Sequence, residues 1–117
     1  MASRDSRPTK SFVTRESKFQ KKALEELERL GYYAVKVITC NRTGWMDVSA
    51  CAPDGKFVGI ELKRVGKGGS DMQLLHIREV KKRGGYAFVA ATLEELREGL
   101  EKGYRDDGSD DVAEPLL

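Results

Sequence analysis

Residues that build disulfide frameworks and zinc sites are scarce in this sequence. Its 117 residues include two cysteines and one histidine. Cys40 and Cys51 stand in neither a CxxC nor a His-rich setting. A zinc site is therefore not expected, and both cysteines are predicted to be small buried thiols in a reducing compartment.

Long apolar runs are also missing. No stretch approaches the roughly 20 residues that cross a membrane, and the N-terminus lacks the apolar segment of a secretory signal. The glycine-rich stretch at residues 66–69 lacks the spacing of a phosphate-binding P-loop, so no nucleotide cofactor is expected. With 39% hydrophobic and 34% charged residues, the chain is predicted to form one cytoplasmic domain with no membrane partner.

Charge divides the chain unevenly. Residues 1–103 hold 20 basic and 14 acidic side chains (+6), whereas residues 104–117 hold one basic and five acidic (−4). We expect a flexible basic N-terminal segment (1–11), a folded domain (12–103) and an acidic C-terminal tail (104–117). The basic body suits a polyanionic partner, although solvation alone also accounts for it.

Periodicity and turn residues predict helix, three strands, helix, strand and helix. The helices are expected at residues 14–30, at 70–83 and from Thr92 to just before Gly103, and the strands at 32–40, 46–52, 56–63 and 86–91. The predicted fold class is α/β, a small mixed sheet of a three-strand meander plus a fourth strand, flanked by helices.

The strand at residues 56–63 carries the most informative pattern. Alternate side chains point to opposite faces, so one face is apolar and carries Val58, Ile60 and Leu62. The other face carries Glu61 and Lys63, beside Gly59, whose missing side chain leaves room for an approaching group. Two charges on a core strand indicate a site, because isolated buried charges are costly.

The Glu-x-Lys triplet alone is weak support, since it occurs three times: Glu16-Ser-Lys18, Glu61-Leu-Lys63 and Glu79-Val-Lys81. Only the triplet at 61–63 lies on a predicted strand, where its two charged side chains share a face. Asp47, on the neighbouring strand, is expected close to Glu61. Two carboxylates suit Mg²⁺ or Mn²⁺, and a lysine beside them suits phosphodiester cleavage. A salt-bridged sheet edge explains the same residues.

Three helical residues have two interpretations each. Glu16 either looks toward the core side or is a favourable negative charge at a helix N-terminus. Gln73, three residues after Ser70, either completes a capping box or reaches into the site. His76, one turn after Gln73, is either an exposed helix residue or a catalytic one, and exposure is expected.

Five features together resemble the virus-type replication-repair nuclease (VRR-NUC) family of the PD-(D/E)XK nuclease superfamily. They are Glu16 in the first helix, GWMD at 44–47, GKFVGIELK at 55–63, SDMQ at 70–73 and GGYA at 84–87. The resemblance covers about residues 14–100. The family often has proline before the first catalytic aspartate, where this chain has Met46, a position without a chemical role.

The resemblance implies a PD-(D/E)XK core that hydrolyses DNA with Mg²⁺ or Mn²⁺. It makes Asp47, Glu61 and the Leu62 carbonyl metal ligands, with Lys63 orienting or activating the water. Gln73 would help to hold the nucleophile or the lysine, and Glu16 would act from the first helix on the metal or through a water. Similar stand-alone domains of phages and bacteria act as homodimers on branched DNA such as four-way junctions.

DNA contacts are expected from basic residues, with Arg64 and Lys67 preferred because they flank the site. The others are Lys36, Arg42, Lys81, Lys82 and Arg83. Trp45 either stacks on a base, packs at a dimer interface or packs in the core. A non-catalytic nucleic-acid-binding module and a small interaction protein are the alternative functions.

Overall fold

The structure, a computed structural model, describes residues 15–63 and 70–105. In chain order its elements are α1 (Arg15–Arg29), β1 (Tyr33–Lys36), β2 (Val48–Cys51), β3 (Phe57–Leu62), α2 (Asp71–Lys82), β4 (Tyr86–Ala90) and α3 (Leu93–Arg105). This is the predicted order. The proposed N-terminal segment and residues 106–117 of the proposed acidic tail lie outside the described residues.

The four strands form one mixed sheet in the order β1-β2-β3-β4. β2 pairs antiparallel with β1 and with β3, while β3 and β4 are parallel. The turn between β2 and β3 uses Gly55 at φ +91°, a conformation that glycine adopts without strain. α2 is the crossover that allows β4 to pair in parallel with β3. The predicted three-strand meander with a fourth strand is therefore confirmed.

Helices cover β3 on both faces. On one face α1 and α3 bury Ile60 and Leu62 of the strand, with Leu27 and Leu96 in the same core. Burying each such side chain contributes about 1.5–3 kcal/mol. On the other face α2 packs over a smaller cluster of Met46, Ile77 and Ala87. Every β3 residue after Phe57 is therefore buried, Glu61 included.

α3 does not stop before Gly103 but continues to Arg105, so its predicted end was wrong. Gly99 and Gly103, one helical turn apart, face the rings of Phe88 and Tyr86 on β4. A Cβ on Gly103 would lie 2.7 Å from the Tyr86 ring. The two glycines admit aromatic rings against the helix rather than ending it, and this packing outweighs their low helix propensity.

Other differences occur at the uncovered side of the sheet. Cys40 and Cys51 are both exposed, so the prediction of buried thiols was wrong. Cys51 lies on the face of β2 opposite the α1–α3 core, and β3 and β4 are the strands that α2 contacts. β1 and β2 are also shorter than predicted, because the chain leaves regular pairing after Lys36 and resumes it at Val48.

α1 and α3 are joined by a charged cluster at the rim of the core. Glu26 accepts hydrogen bonds from Arg29 on its own helix (2.7 Å) and from Arg97 on α3 (2.9 Å). These two bonds, with the arginine from α1 contributing most, lower the pKa of Glu26 from its ordinary value of 4.5 to about 2. The carboxylate therefore stays ionised in the fold well into acid.

No helix within residues 15–63 and 70–105 is long and apolar enough to cross a membrane.

Candidate active site

The site forms where the start of β2 meets the end of β3. Val48 pairs with Ile60, which brings Asp47, one residue before β2, beside the last residues of β3. The Asp47 Oδ2 atom accepts a hydrogen bond from the Leu62 backbone N–H at 2.9 Å. This bond ties the aspartate to the strand that carries Glu61.

Glu61 and Lys63 point to the same side of the sheet, as the strand pattern predicts. The Lys63 Nζ atom lies 3.2 Å from Glu61 Oε2. The Lys63 backbone N–H donates to the Ala90 carbonyl at 3.0 Å, which keeps the chain extended beyond the last β3 residue. In an extended chain, residues two apart lie on the same side, so the Glu61 and Lys63 side chains are neighbours.

Gln73 fills both roles that its position allows. Its Oε1 atom accepts from the Ser70 backbone N–H (2.9 Å), and the Ser70 hydroxyl accepts from the Gln73 N–H (3.2 Å), which completes a capping box for α2. Its Nε2 atom donates to Glu61 Oε2 at 2.7 Å. One side chain therefore links the first turn of α2 to the site.

The second oxygen of Glu61 has no hydrogen-bond partner among the described residues. Glu61 is 2% exposed, and its Oε1 atom is buried without a hydrogen-bond partner among the residues that the structure describes. Burial first, and the charge of Asp47 second, raise the pKa of Glu61, while Lys63 and Gln73 oppose that rise. Two neighbouring carboxylates, one of them with a buried and unpartnered oxygen, are costly unless a further positive charge joins that of Lys63.

These residues fit a hard divalent cation. Such ions take carboxylate and carbonyl oxygens and keep some of their water, and the unpartnered Oε1 of Glu61 is a free acceptor of that kind. Asp47, Glu61 and the Leu62 carbonyl would hold the ion. Among the described side chains no group of three His, Cys, Asp or Glu converges. Glu16 lies in the first turn of α1, but its side chain lies outside the described residues.

The loop before Asp47 is anchored by a residue that sequence reasoning missed. His76 is 5% exposed, so its predicted exposure was wrong. Its Nε2 donates to the Thr43 carbonyl at 2.9 Å, and its ring centroid lies 5.3 Å from that of Trp45. The sequence did contain a signal for its burial. His76 lies three residues after Gln73 on α2 and next to the apolar Ile77, so it shares the inward face of the helix.

Trp45 packs within the molecule, one of the three alternatives for this residue. Its ring centroid lies 6.2 Å from that of Phe57, and its Nε1 donates to the Ser49 hydroxyl at 3.3 Å. The space over Gly59 is likewise filled: a Cβ there would lie 2.6 Å from Met46 Cε. The expectation of open room at Gly59 was therefore wrong, because the residue before Asp47 folds over it.

The predicted DNA contacts are scattered. Arg64 and Lys67 lie outside the described residues. Lys36 and Arg42 are exposed near the Asp47 end of the sheet. Lys81 and Lys82 are exposed at the far end of α2, where Lys82 lies 3.5 Å from Glu79. Arg83 bonds the same carboxylate. A role in DNA binding stays a prediction for each of these residues.

A four-stranded mixed sheet, helices on both faces and charged side chains at the ends of two adjacent strands define a restriction-endonuclease-like α/β core. No family model and no curated protein matches the sequence. A solved structure described as a VRR_NUC domain matches with a TM-score of 0.65 at 28% identity, covering 75% of this chain and 96% of that chain. The chain thus has the fold of a VRR-NUC domain, and the resemblance and fold class predicted from the sequence are confirmed.

Proposed function

We propose that this protein is a DNA endonuclease that uses Mg²⁺ or Mn²⁺ and prefers branched DNA such as four-way junctions. The observation that carries the proposal is the clustering of Asp47, Lys63 and Gln73 at the buried Glu61 carboxylate. Lys63 and Gln73 contact its Oε2 atom, and its Oε1 atom has no partner among the described residues. The likeness to a VRR-NUC domain supports the nuclease class.

In this proposal the chain's own residues orient the reactants. The Leu62 N–H and Gln73 each engage one oxygen of a carboxylate, Asp47 Oδ2 and Glu61 Oε2, so that Asp47 Oδ1 and Glu61 Oε1 remain for a cation. A bound divalent ion would polarise the phosphodiester and offset charge in the transition state. Preorganised groups of this kind stabilise the transition state efficiently because they need no rearrangement during the reaction.

Lys63 is the residue proposed to act on the water. Its ammonium hydrogens, one of which now points to Glu61 Oε2, can hold a water for attack on phosphorus. The water oxygen forms the new P–O bond as a bridging P–O bond breaks. The water loses a proton to solvent and the leaving oxygen takes one up, which leaves a phosphomonoester and a hydroxyl. Glu16, from the first turn of α1, is proposed to assist at the metal.

A homodimer is the proposed assembly. The strand register aligns Tyr33, Cys51 and Phe57 in one row on the face of the sheet opposite the α1–α3 core. Tyr33 is 75% exposed and Phe57 39%. An apolar row beside an edge strand suits a two-fold contact, which would present two sites to two DNA strands. Two exposed thiols also suit the proposed cytoplasm of a bacterial or phage-infected cell.

The test is a cleavage assay on linear duplex, flap, splayed-arm and four-way-junction DNA, each with Mg²⁺, Mn²⁺ or chelator. We expect cleavage with a divalent ion, most rapid on the junction, and none in chelator. Glu61→Ala and Lys63→Ala should each abolish cleavage while DNA binding persists. Glu79→Ala is the matched control, because Glu79 stands in the same triplet on the exposed face of a helix.

Each outcome assigns a function. DNA binding without product under any metal would identify a non-catalytic binding module. No binding to any DNA at low salt would identify an interaction protein. Turnover retained in both the Glu61→Ala and the Lys63→Ala variant would reject the assigned centre.

A further inference from the structure

A second basic feature lies at the end of the sheet opposite Glu61. A cleft of about 420 Å³ opens between the start of β4 and the ends of α2 and α3. Three lysines from three parts of the chain line it: Lys56 after the β2–β3 turn, Lys81 in the last turn of α2 and Lys102 near the end of α3. We call this feature the lysine cleft.

The positive charge of the lysine cleft is not balanced by an acidic lining residue within residues 15–63 and 70–105. Glycines, apolar side chains and one tyrosine make up the rest of its lining, and no acidic residue lines it in the part of the chain that the structure describes. In that same part, neither Lys81 nor Lys102 forms an ion pair, whereas Lys82 is paired with Glu79. Because three lysines from three parts of the chain line one cleft, a polyanion lying along it would meet positive charge from each of them.

The aromatic rings of the cleft are already engaged. The Lys56 Nζ atom lies 5.4 Å from the centroid of the Tyr86 ring, and the Tyr86 hydroxyl donates to Asp54 at 3.2 Å. The Phe88 ring packs against Gly99 of α3. Neither ring is free to stack on a base, so a nucleic acid would be contacted through its phosphates.

The distance between the cleft and the candidate active site suits one DNA arm. α2 carries Gln73 in its first turn, beside Glu61, and Lys81 in its last turn. Gln73 and Lys81 are eight residues apart, a rise of about 12 Å at about 1.5 Å per residue. That length corresponds to roughly three to four base-pair steps of duplex, at about 3.4 Å each. A duplex arm that follows α2 would therefore reach both places.

We infer that Lys56, Lys81 and Lys102 bind backbone phosphates of DNA, as a second contact remote from the chemistry and indifferent to base sequence. The inference rests on the proposed function, because it assumes that DNA is the substrate. It adds Lys56 and Lys102 to the predicted DNA contacts and assigns Lys81 a specific place.

The experiment compares two triple variants of the full chain that lose the same charge. One carries Lys56→Gln, Lys81→Gln and Lys102→Gln. The other carries Lys18→Gln, Lys21→Gln and Lys22→Gln, three exposed lysines of α1. Binding to a fluorescent four-way junction is measured by anisotropy in chelator, from about 50 to 200 mM salt. Circular dichroism and melting confirm that both variants are folded.

The cleft variant should bind about tenfold or more weakly at the lowest salt, and its salt slope should fall by about two to three, as for three lost phosphate contacts. In the α1 variant, the loss of affinity and the change in salt slope should each be less than half of those in the cleft variant. Equal losses in both variants, or unchanged or tighter binding in the cleft variant, would overturn the inference. Because the assay excludes metal, a cleft that binds DNA without any later cleavage would count against the nuclease proposal alone.

Discussion

Gln73 Nε2 donates to Glu61 Oε2 at 2.7 Å, while the other end of the same amide closes the capping box of α2 on Ser70. The first turn of a surface helix and the orientation of a buried carboxylate therefore depend on one side chain. Stability and activity at this position can be separated by choosing substitutions that keep one of the two bonds.

Replacing Gln73 with glutamate keeps the cap acceptor and removes the donor to Glu61. Gln73→Glu should retain α2 but lose cleavage, because a second carboxylate then lies next to Glu61. Ser70→Ala is the converse control: it should cost about 1 kcal/mol of stability through the lost cap and leave cleavage nearly unchanged. Melting curves and single-turnover cleavage measure both. Full activity in Gln73→Glu would contradict the positioning role.

Glu61 should lower the stability of the metal-free protein. Its Oε1 atom is buried without a partner among the described residues, and an unpartnered buried polar group costs about 1–3 kcal/mol. Glu61→Gln should therefore raise the melting temperature in chelator, because the neutral amide removes a buried charge that lies beside Asp47. We also expect Mn²⁺ to raise the melting temperature of the native protein, and Glu61→Gln should abolish that increase. A lower melting temperature in chelator would contradict this account.

His76 should set the position of Asp47 through the loop that it anchors. His76→Ala removes the bond to the Thr43 carbonyl and the contact with Trp45, and should cost about 1–3 kcal/mol. It should also raise the Mn²⁺ concentration that gives half of the maximal thermal shift. His76→Gln, which keeps a donor, should recover part of that affinity. An unchanged Mn²⁺ requirement in His76→Ala would show that the histidine only packs.

Glu26 should give the fold part of its resistance to acid. Its lowered pKa means that its bonds to Arg29 and Arg97 contribute stability fully above the ordinary value of 4.5 and lose it as the pH falls toward about 2. Glu26→Gln should therefore melt lower than the native protein at pH 7, with a difference that shrinks between about pH 4.5 and 2. The exposed neighbour Glu25→Gln should show no such trend. A difference that is constant with pH would contradict the assignment.

Gly99 should not tolerate a methyl group although it lies inside a helix. Replacing an exposed helical glycine by alanine normally stabilises a protein by about 0.5–1 kcal/mol. At Gly99 the new Cβ would collide with the Phe88 ring, so Gly99→Ala should instead cost about 1–3 kcal/mol. Glu98→Ala, on the exposed neighbour, should stay within about 0.5 kcal/mol. Urea denaturation measures both, and a stabilised Gly99→Ala would refute the packing.

Local patterns were enough to predict the order of elements, the pairing of the first three strands and the grouping of Asp47 with Glu61 and Lys63. Strand alternation and turn residues act over a few residues, so one sequence contains that information. The errors concern contacts between distant segments. The burial of His76 depends on a loop 33 residues earlier, and the filling of the space at Gly59 depends on how Met46 folds over β3.

The end of α3 illustrates the same limit. Gly103 is a reasonable stop by local rules, and only the Tyr86 ring beside it explains why the helix continues. Likewise, the exposure of Cys51 follows from α2 covering two strands of the four. Periodicity predicts that a face is apolar but does not specify which neighbour covers it.

The central claim is that Asp47 and Glu61 together hold a divalent ion. The most direct measurement is an anomalous difference map from crystals of the protein soaked in Mn²⁺, with Glu61→Gln crystals soaked in parallel. We predict a manganese peak between the two carboxylates in the native protein and none in the variant. A peak elsewhere, or no peak in crystals of a protein that still cleaves DNA in Mn²⁺, would contradict the account.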